Sequence, residues 1–447
     1  MINSLSANVL LEIFDFYRLD EVTTSSHLPW KWHRLAHVCQ TWRDIIFSSS
    51  HRLNLELLCT YGTPVRKNLG YLPALPIVIQ LPDYTKESDE DNIIAALEHP
   101  DRVRVVRLHV SCSLLEKMAT VMQEPFPALT NLFLEREKLE DAPTPVLPDA
   151  FLGGCAPRLQ KFYLDGIPFP AAPMLLSLAR DLVDVDLRDI SNTGYISPED
   201  MVASLAVSPR LESLSFHLQP GASHPDRISL PPITRTVFPS LTSFFFDGPF
   251  KYFEYFVAQM DAPQLKRLEI TYSKEDEGVD FQIPQLSKFL DRSETLSRLR
   301  HAELDIWPDP VIIGLDESES FSRRSFSLGI QNVGISQVLS QIPGMLSNVD
   351  SLYYVTSTDF EYEQLSDDIQ WLELLHSFTA VKALSVQYAL APYIALALKN
   401  ITGDSAAEIL PALELLFLEN QSATSVEGFL AARPGRGSPC NLHGGVL

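Results

Sequence analysis

Little in this sequence is equipped for covalent or redox chemistry. Its five cysteines, Cys39, Cys59, Cys112, Cys155 and Cys440, are scattered and form no Cys-x-x-Cys pair. That spacing excludes a disulfide framework and a zinc finger, and reads as an intracellular chain, cytoplasmic or nuclear. Glycine is scarce, 19 in 447 residues, which excludes collagen-like or Gly-rich filaments. The glycine-bearing nucleotide and hydrolase signatures GxGxxG, GxxxxGK(S/T) and GxSxG are missing. The most apolar long stretch, Ser385 to Leu398, is interrupted by Gln387 and Pro392. It falls short of the ~18–20 residues that span a bilayer, so no membrane partner is expected. The opening Met-Ile-Asn-Ser lacks the basic start and apolar run of a secretory leader. Positive charge is also in deficit, 35 Lys+Arg against 57 Asp+Glu, a formal −22. Residues 1–70 hold 7 basic and 6 acidic groups and residues 71–447 hold 28 and 51, so the acidity lies in the larger part. Such a surface repels phosphate backbones and is not expected to bind nucleic acid.

No cofactor or metal is expected. His33 and His37 lie one helical turn apart, but no third ligand accompanies them. Cys39, between Val38 and Trp42, lacks the base and the positive setting of a nucleophile and reads as a packed thiol. The acidic runs ESDED (87–91) and EDE (275–277) read as solvated loops.

What the sequence does contain is repetition. The first fifty residues read as helices. Ser6 is the candidate N-cap of one, with Val9, Leu10, Ile13, Phe14 and Tyr17 at 3–4 spacing. A second runs from about Trp32 to Phe47, with an apolar face of Leu35, Val38, Cys39, Trp42, Ile45 and Ile46. Beyond them one pattern recurs, apolar-x-x-apolar-x-apolar, in segments such as PALTNLFLE (127–135), PRLESLSFH (209–217), PSLTSFFFD (239–247) and PALELLFLE (411–419). Its first positions are Val103, Leu129, Leu159, Leu182, Leu211, Leu241, Leu265, Leu299, Phe326, Val349, Val381 and Leu413, on average about 28 residues apart. Helical-looking runs lie between them. A short strand followed by a helix at this period is a β/α solenoid, strands parallel and helices on the convex side. The fold class is therefore α/β. Residues 1–55 form a small helical domain, 56–76 a connector, 77–432 the solenoid, and the Gly/Pro-rich 433–447 a disordered tail.

The N-terminal segments LSANVLLEIFDFY (5–17) and WHRLAHVCQTWRDII (32–46) resemble the F-box, with Leu5, Leu10, Glu12, Ile13, Leu35, Val38, Cys39, Trp42 and Arg43 at matching positions. Ser6 stands where the family usually has Pro. The rest of the chain resembles leucine-rich repeats, which commonly follow an F-box. Most units lack the repeat's usual Asn or Cys, with Glu137, Ile167 and Ser273 in its place, so these would be degenerate repeats. The style, including LLCTYGTPVRKNL (57–69), looks like the expanded F-box families of mushroom-forming fungi. The resemblance implies a non-catalytic substrate receptor of an SCF-type ubiquitin ligase. Its F-box would bind a Skp-type adaptor, and through it a cullin, while its repeats hold a protein substrate. The alternative is a leucine-rich-repeat interaction scaffold with no ligase.

The two apolar helix faces carry more large side chains than fifty residues can bury within themselves, which points to a partner. Leu5, Leu10, Ile13, Val38, Cys39, Trp42 and Ile45 are the candidate adaptor face, with Trp42 as anchor. Strand alternation gives the substrate candidates. If the second and third apolar positions point into the core, the residue between them points out. That position reads Arg107, Phe133, Tyr163, Asp186, Ser215, Phe245, Glu269, Glu303, Tyr353, Ser385 and Phe417. The aromatics Phe133, Tyr163, Phe245, Tyr353 and Phe417 are the candidate substrate site, and Asp186, Ser215, Glu269 and Glu303 are expected to select basic groups.

Overall fold

The computed structural model describes residues 5–24, 32–84, 87–137, 143–219, 234–272, 281–306, 311–317, 324–331, 335–355, 371–387, 390–399, 401, 408–421, 426–431 and 441–442. The chain divides into two compact units, Met1–Leu182 and Val183–Leu447. In each, the strands of a largely parallel sheet alternate with helices.

The first unit opens with helices Ala7–Thr24, Trp32–Ala36 and Gln40–Ser48. Strands β1 (Leu57–Cys59), β2 (Ile77–Tyr84), β3 (Val103–Val110), β4 (Asn131–Arg136) and β5 (Lys161–Asp165) then lie side by side in chain order, all parallel. Residues 56–76, expected as a connector, carry β1 and the helix Val65–Tyr71. The acidic run 87–91 is not a solvated loop. It opens the helix Glu87–Leu97, where carboxylates oppose the positive end of the helix dipole. Asp89 and Glu90 are buried; Asp89 accepts the Gly62 N–H at 2.8 Å and Glu90 pairs with Lys117.

The second unit holds β6 (Asp184–Ile190), β7 (Ser213–Leu218), β8 (Thr236–Val237), β9 (Ser243–Gly248), β10 (Met260–Asp261), β11 (Arg267–Tyr272), β12 (His301–Ile306), β13 (Val311–Asp316), β14 (Phe326–Ile330), β15 (Ser351–Val355), β16 (Ala383–Val386), β17 (Leu415–Leu418) and β18 (Asn441–Leu442). Its main sheet runs β6-β7-β9-β11-β14-β13-β12-β15-β16-β17-β18, with β8 and β10 paired apart. The expectation that every strand lies parallel to the last is corrected here. β13 runs antiparallel to both β12 and β14, and β12 sits three places from β11. The physical reason is length. A parallel crossover needs a dozen or more residues, and neither the link from Ile306 to Val311 nor that from Asp316 to Phe326 is that long.

The repeated apolar positions build the core. All twelve first positions are at most 7% exposed, and each such side chain stabilises by roughly 1.5–3 kcal/mol on burial. Helices pack on the face that carries the second and third positions. Phe244 meets Phe253 and Phe256 of the helix Phe250–Ala258, and Phe216 meets Phe256. Adjacent helices are tied by a carboxylate. Glu254 accepts the backbone N–H groups of Gln285 and Leu286, both at 2.8 Å, capping the start of the helix Pro284–Arg292. Burial pushes the Glu254 carboxyl up to about 7, only partly offset by these two bonds. Of the expected tail, Asn441–Leu442 pair in parallel with Leu415–Leu416, and the remainder lies outside the described residues.

Candidate functional site

The helix Ala7–Thr24 is apolar on two sides. Ser6 caps it, its Oγ accepting the Val9 N–H at 3.5 Å and its carbonyl the Leu10 N–H at 3.1 Å. Leu10, Leu11 and Phe14 are buried, and Phe14 meets Trp42 edge to face with centroids 4.9 Å apart. Trp32 packs on Phe47 and donates its Nε1–H to the Glu56 carbonyl, while Arg52 pairs with Glu12 and Asp15. On the other side Leu5, Val9, Ile13 and Phe16 are 39%, 45%, 44% and 69% exposed. Steps of four and three residues put Val9, Ile13 and Phe16 in one stripe, and Leu5 lies just ahead of the Ser6 cap.

Of the residues assigned to the adaptor face, Leu5, Ile13 and Val38 are exposed and Cys39, Trp42 and Ile45 are half-buried. Leu10 belongs to the chain's own core, and Trp42 lies against Phe14. Val9, read from sequence only as part of the helix's apolar spacing, and Phe16 were not assigned to that face. Their signal was their helical spacing from Ile13.

The residues expected to alternate outward lie on the sheet face away from the helices, the far face below. In the first unit Arg107, Phe133 and Tyr163 are neighbours in register. The Arg107 guanidinium sits 5.0 Å from the Phe133 ring centroid. Phe133 and Tyr163 stack at 3.9 Å with 7° between planes. Two residues on, His109 Nδ1 lies 3.8 Å from Glu135 Oε1, and Tyr163 donates its hydroxyl to Asp165 at 3.2 Å.

In the second unit the row runs Asp186, Ser215, Phe245, Glu269, Ser327, Gly314, Glu303, Tyr353, Ser385, Phe417 without a break in register. Gly314 comes from the extra strand β13, and Ser327 from the unit whose Phe326, expected as a first position, instead pairs with the second position Leu268. Phe133, Tyr163, Phe245, Tyr353 and Phe417 are all half-buried. The acidic members are paired within the chain. Arg188 holds Asp186 at 2.8 and 3.0 Å, Arg267 holds Glu269, and Arg324 holds Glu303 at 3.0 Å and approaches Asp305 at 3.8 Å. Gly314 makes room for that last contact, since a Cβ there would meet Arg324 Cδ at 2.7 Å. Asp247, beside Phe245 in the next row, instead has His217 Nε2 at 3.9 Å. Burial raises its carboxyl above the usual range, with His217 opposing.

Among the described residues no group of three or more His, Cys, Asp or Glu is placed to hold a metal, and no helix is long and apolar enough to cross a membrane. Comparison with protein-family models and with curated proteins finds no match to this chain.

Proposed function

We propose that this chain is the substrate-recognition subunit of an SCF-type ubiquitin ligase. Its N-terminal helices act as an F-box that binds a Skp-type adaptor and so a cullin. Its strand–helix units act as a curved leucine-rich-repeat solenoid that holds a protein substrate on the far face, and the chain itself does no chemistry. One observation supports the reading: Val9, Ile13 and Phe16 stay exposed on a helix whose opposite side is already committed to Phe14 and Trp42, with Leu5 exposed just ahead of its cap. Three large apolar side chains in one exposed row, with a fourth just ahead of them, mark an interface. Their burial under a partner would contribute several kcal/mol, at roughly 25 cal/mol per Å² of apolar surface.

The test is co-purification with a Skp-type adaptor. The wild-type chain is expected to retain it. The double variant Ile13→Asp, Phe16→Asp should retain at least about tenfold less, because it places two charges in an apolar contact, with its circular dichroism unchanged because both sites are exposed. A wild-type chain that retains no adaptor rejects the ligase reading and leaves an interaction scaffold.

A further inference from the structure

The far face carries one arrangement twice, once filled and once missing a part. In the first unit Arg107 pairs in register with Phe133, and His109 with Glu135. In the second Ser215 pairs with Phe245, and His217 with Asp247. The His-to-carboxylate distances are 3.8 and 3.9 Å. The residues flanking the ring differ: Arg107 and Tyr163 stand beside Phe133, Ser215 and Glu269 beside Phe245. Arg107 lays its guanidinium over Phe133 at 5.0 Å, whereas Ser215 is too short to cover Phe245. Ser213 and Ser243, the preceding pair on the same face, are equally short. Among the described residues no side chain hydrogen-bonds to Ser213, Ser215 or Ser243, and no Lys or Arg pairs with Asp247.

We propose that the notch over Ser215, walled by the Phe245 ring and ended by Asp247, takes the guanidinium of an arginine in a basic segment of the protein substrate. The proposal rests on the reading that this face holds a substrate. Charge complementarity selects the occupant. The neighbouring carboxylates Asp186 and Glu269 are balanced by Arg188 and Arg267, so the patch is short of one cation, at Asp247. Geometry selects arginine over lysine. A planar guanidinium stacks on a ring face and still donates in plane to a carboxylate, while an ammonium does one or the other. The first unit shows the stacking half of that fit, Arg107 lying over Phe133 at 5.0 Å while Glu135 has His109 as its partner.

The experiment uses the full chain without adaptor and a fluorescein-labelled Gly-Ser peptide carrying three arginines, followed by anisotropy. The same peptide with citrulline, or with lysine, at those positions is the comparison. The arginine peptide is expected to bind at least tenfold more tightly than the citrulline peptide and several-fold more tightly than the lysine peptide. Ser215→Arg, which fills the notch as Arg107 fills its counterpart, should abolish binding. Phe245→Leu, which keeps bulk but removes the ring, should weaken it about threefold or more. Absence of binding, equal binding of citrulline or lysine, or undiminished binding by Ser215→Arg overturns the proposal. Adaptor capture, measured on the same preparations, keeps the two readings apart. Arginine binding without capture rejects the ligase alone, and capture without arginine binding rejects this site alone.

Discussion

Phe133 and Phe245 stand at the same place in their strands, each beside a His-bearing neighbour and each two residues before a carboxylate. Around Phe133 everything is used internally: Arg107 on one face, Tyr163 stacked on the other, His109 against Glu135. Around Phe245 the ring has serine on one side and a carboxylate already paired with Arg267 on the other. A half-buried aromatic on a sheet face is therefore not informative alone. Whether its face and the charge near it are satisfied by the chain separates a structural ring from one set for a partner.

The largest effect expected to sharpen this contrast lies within β9. Phe244→Ala removes a ring packed against Phe253 and Phe256 and should cost ~3–5 kcal/mol in urea unfolding. Phe245→Ala, on the far face, should cost less than about 1 kcal/mol. Equal losses would make Phe245 a core residue and end the comparison.

A second difference is confined to the second unit and depends on pH. The Glu254 carboxyl lies near 7 in the folded chain, raised chiefly by burial from an ordinary 4.5. Because the folded value is the higher one, its contribution is fully present below about pH 4.5 and is lost as pH rises through 7, a swing of up to about 3 kcal/mol. Glu254→Gln should flatten the corresponding part of the unfolding profile between pH 4.5 and 8. A slope that survives the substitution assigns the pH dependence to another group.

The smallest effect is the most direct attempt to break the comparison. Arg107→Ser uncovers the Phe133 ring on the side that Ser215 leaves open at Phe245. It should cost ~0.5–1 kcal/mol of stability, the range of a partly exposed cation–π contact, and add a second arginine-peptide site, read as a change in stoichiometry. Loss of stability with no added site would mean that the ring face needs more than a vacancy.

Much of this was legible in the sequence, for identifiable reasons. The buried first positions and the outward row follow from strand alternation, which one residue of slippage would invert, so the pattern fixes the register. The extra antiparallel strand was not read because VIIGLD (311–316) does not complete the apolar-x-x-apolar-x-apolar pattern: Ile312 and Leu315 are followed by Glu317 at the third position. Its signal was the missing helical run between Leu299 and Phe326. Which side of the first helix is buried could not be read either, since Leu10 and Phe14 are as apolar as Ile13 and Phe16. The pairing of Glu303 with Arg324 joins residues 21 apart with β13 between them in the chain, a contact that no local pattern encodes.

The displaced position of β12 also sets a timetable for synthesis. A chain folding as it emerges can add each strand of the second unit to the previous one as far as β11. The next strand made, β12, belongs three places away, and the place beside β11 is filled by β14, which ends at Ile330. The stretch from Tyr272 to Ile330 must be translated before the edge of β11 is covered. At ~5–20 residues per second that is a wait of about 3–12 s with a bare strand edge, the longest such interval that the strand order of this unit imposes.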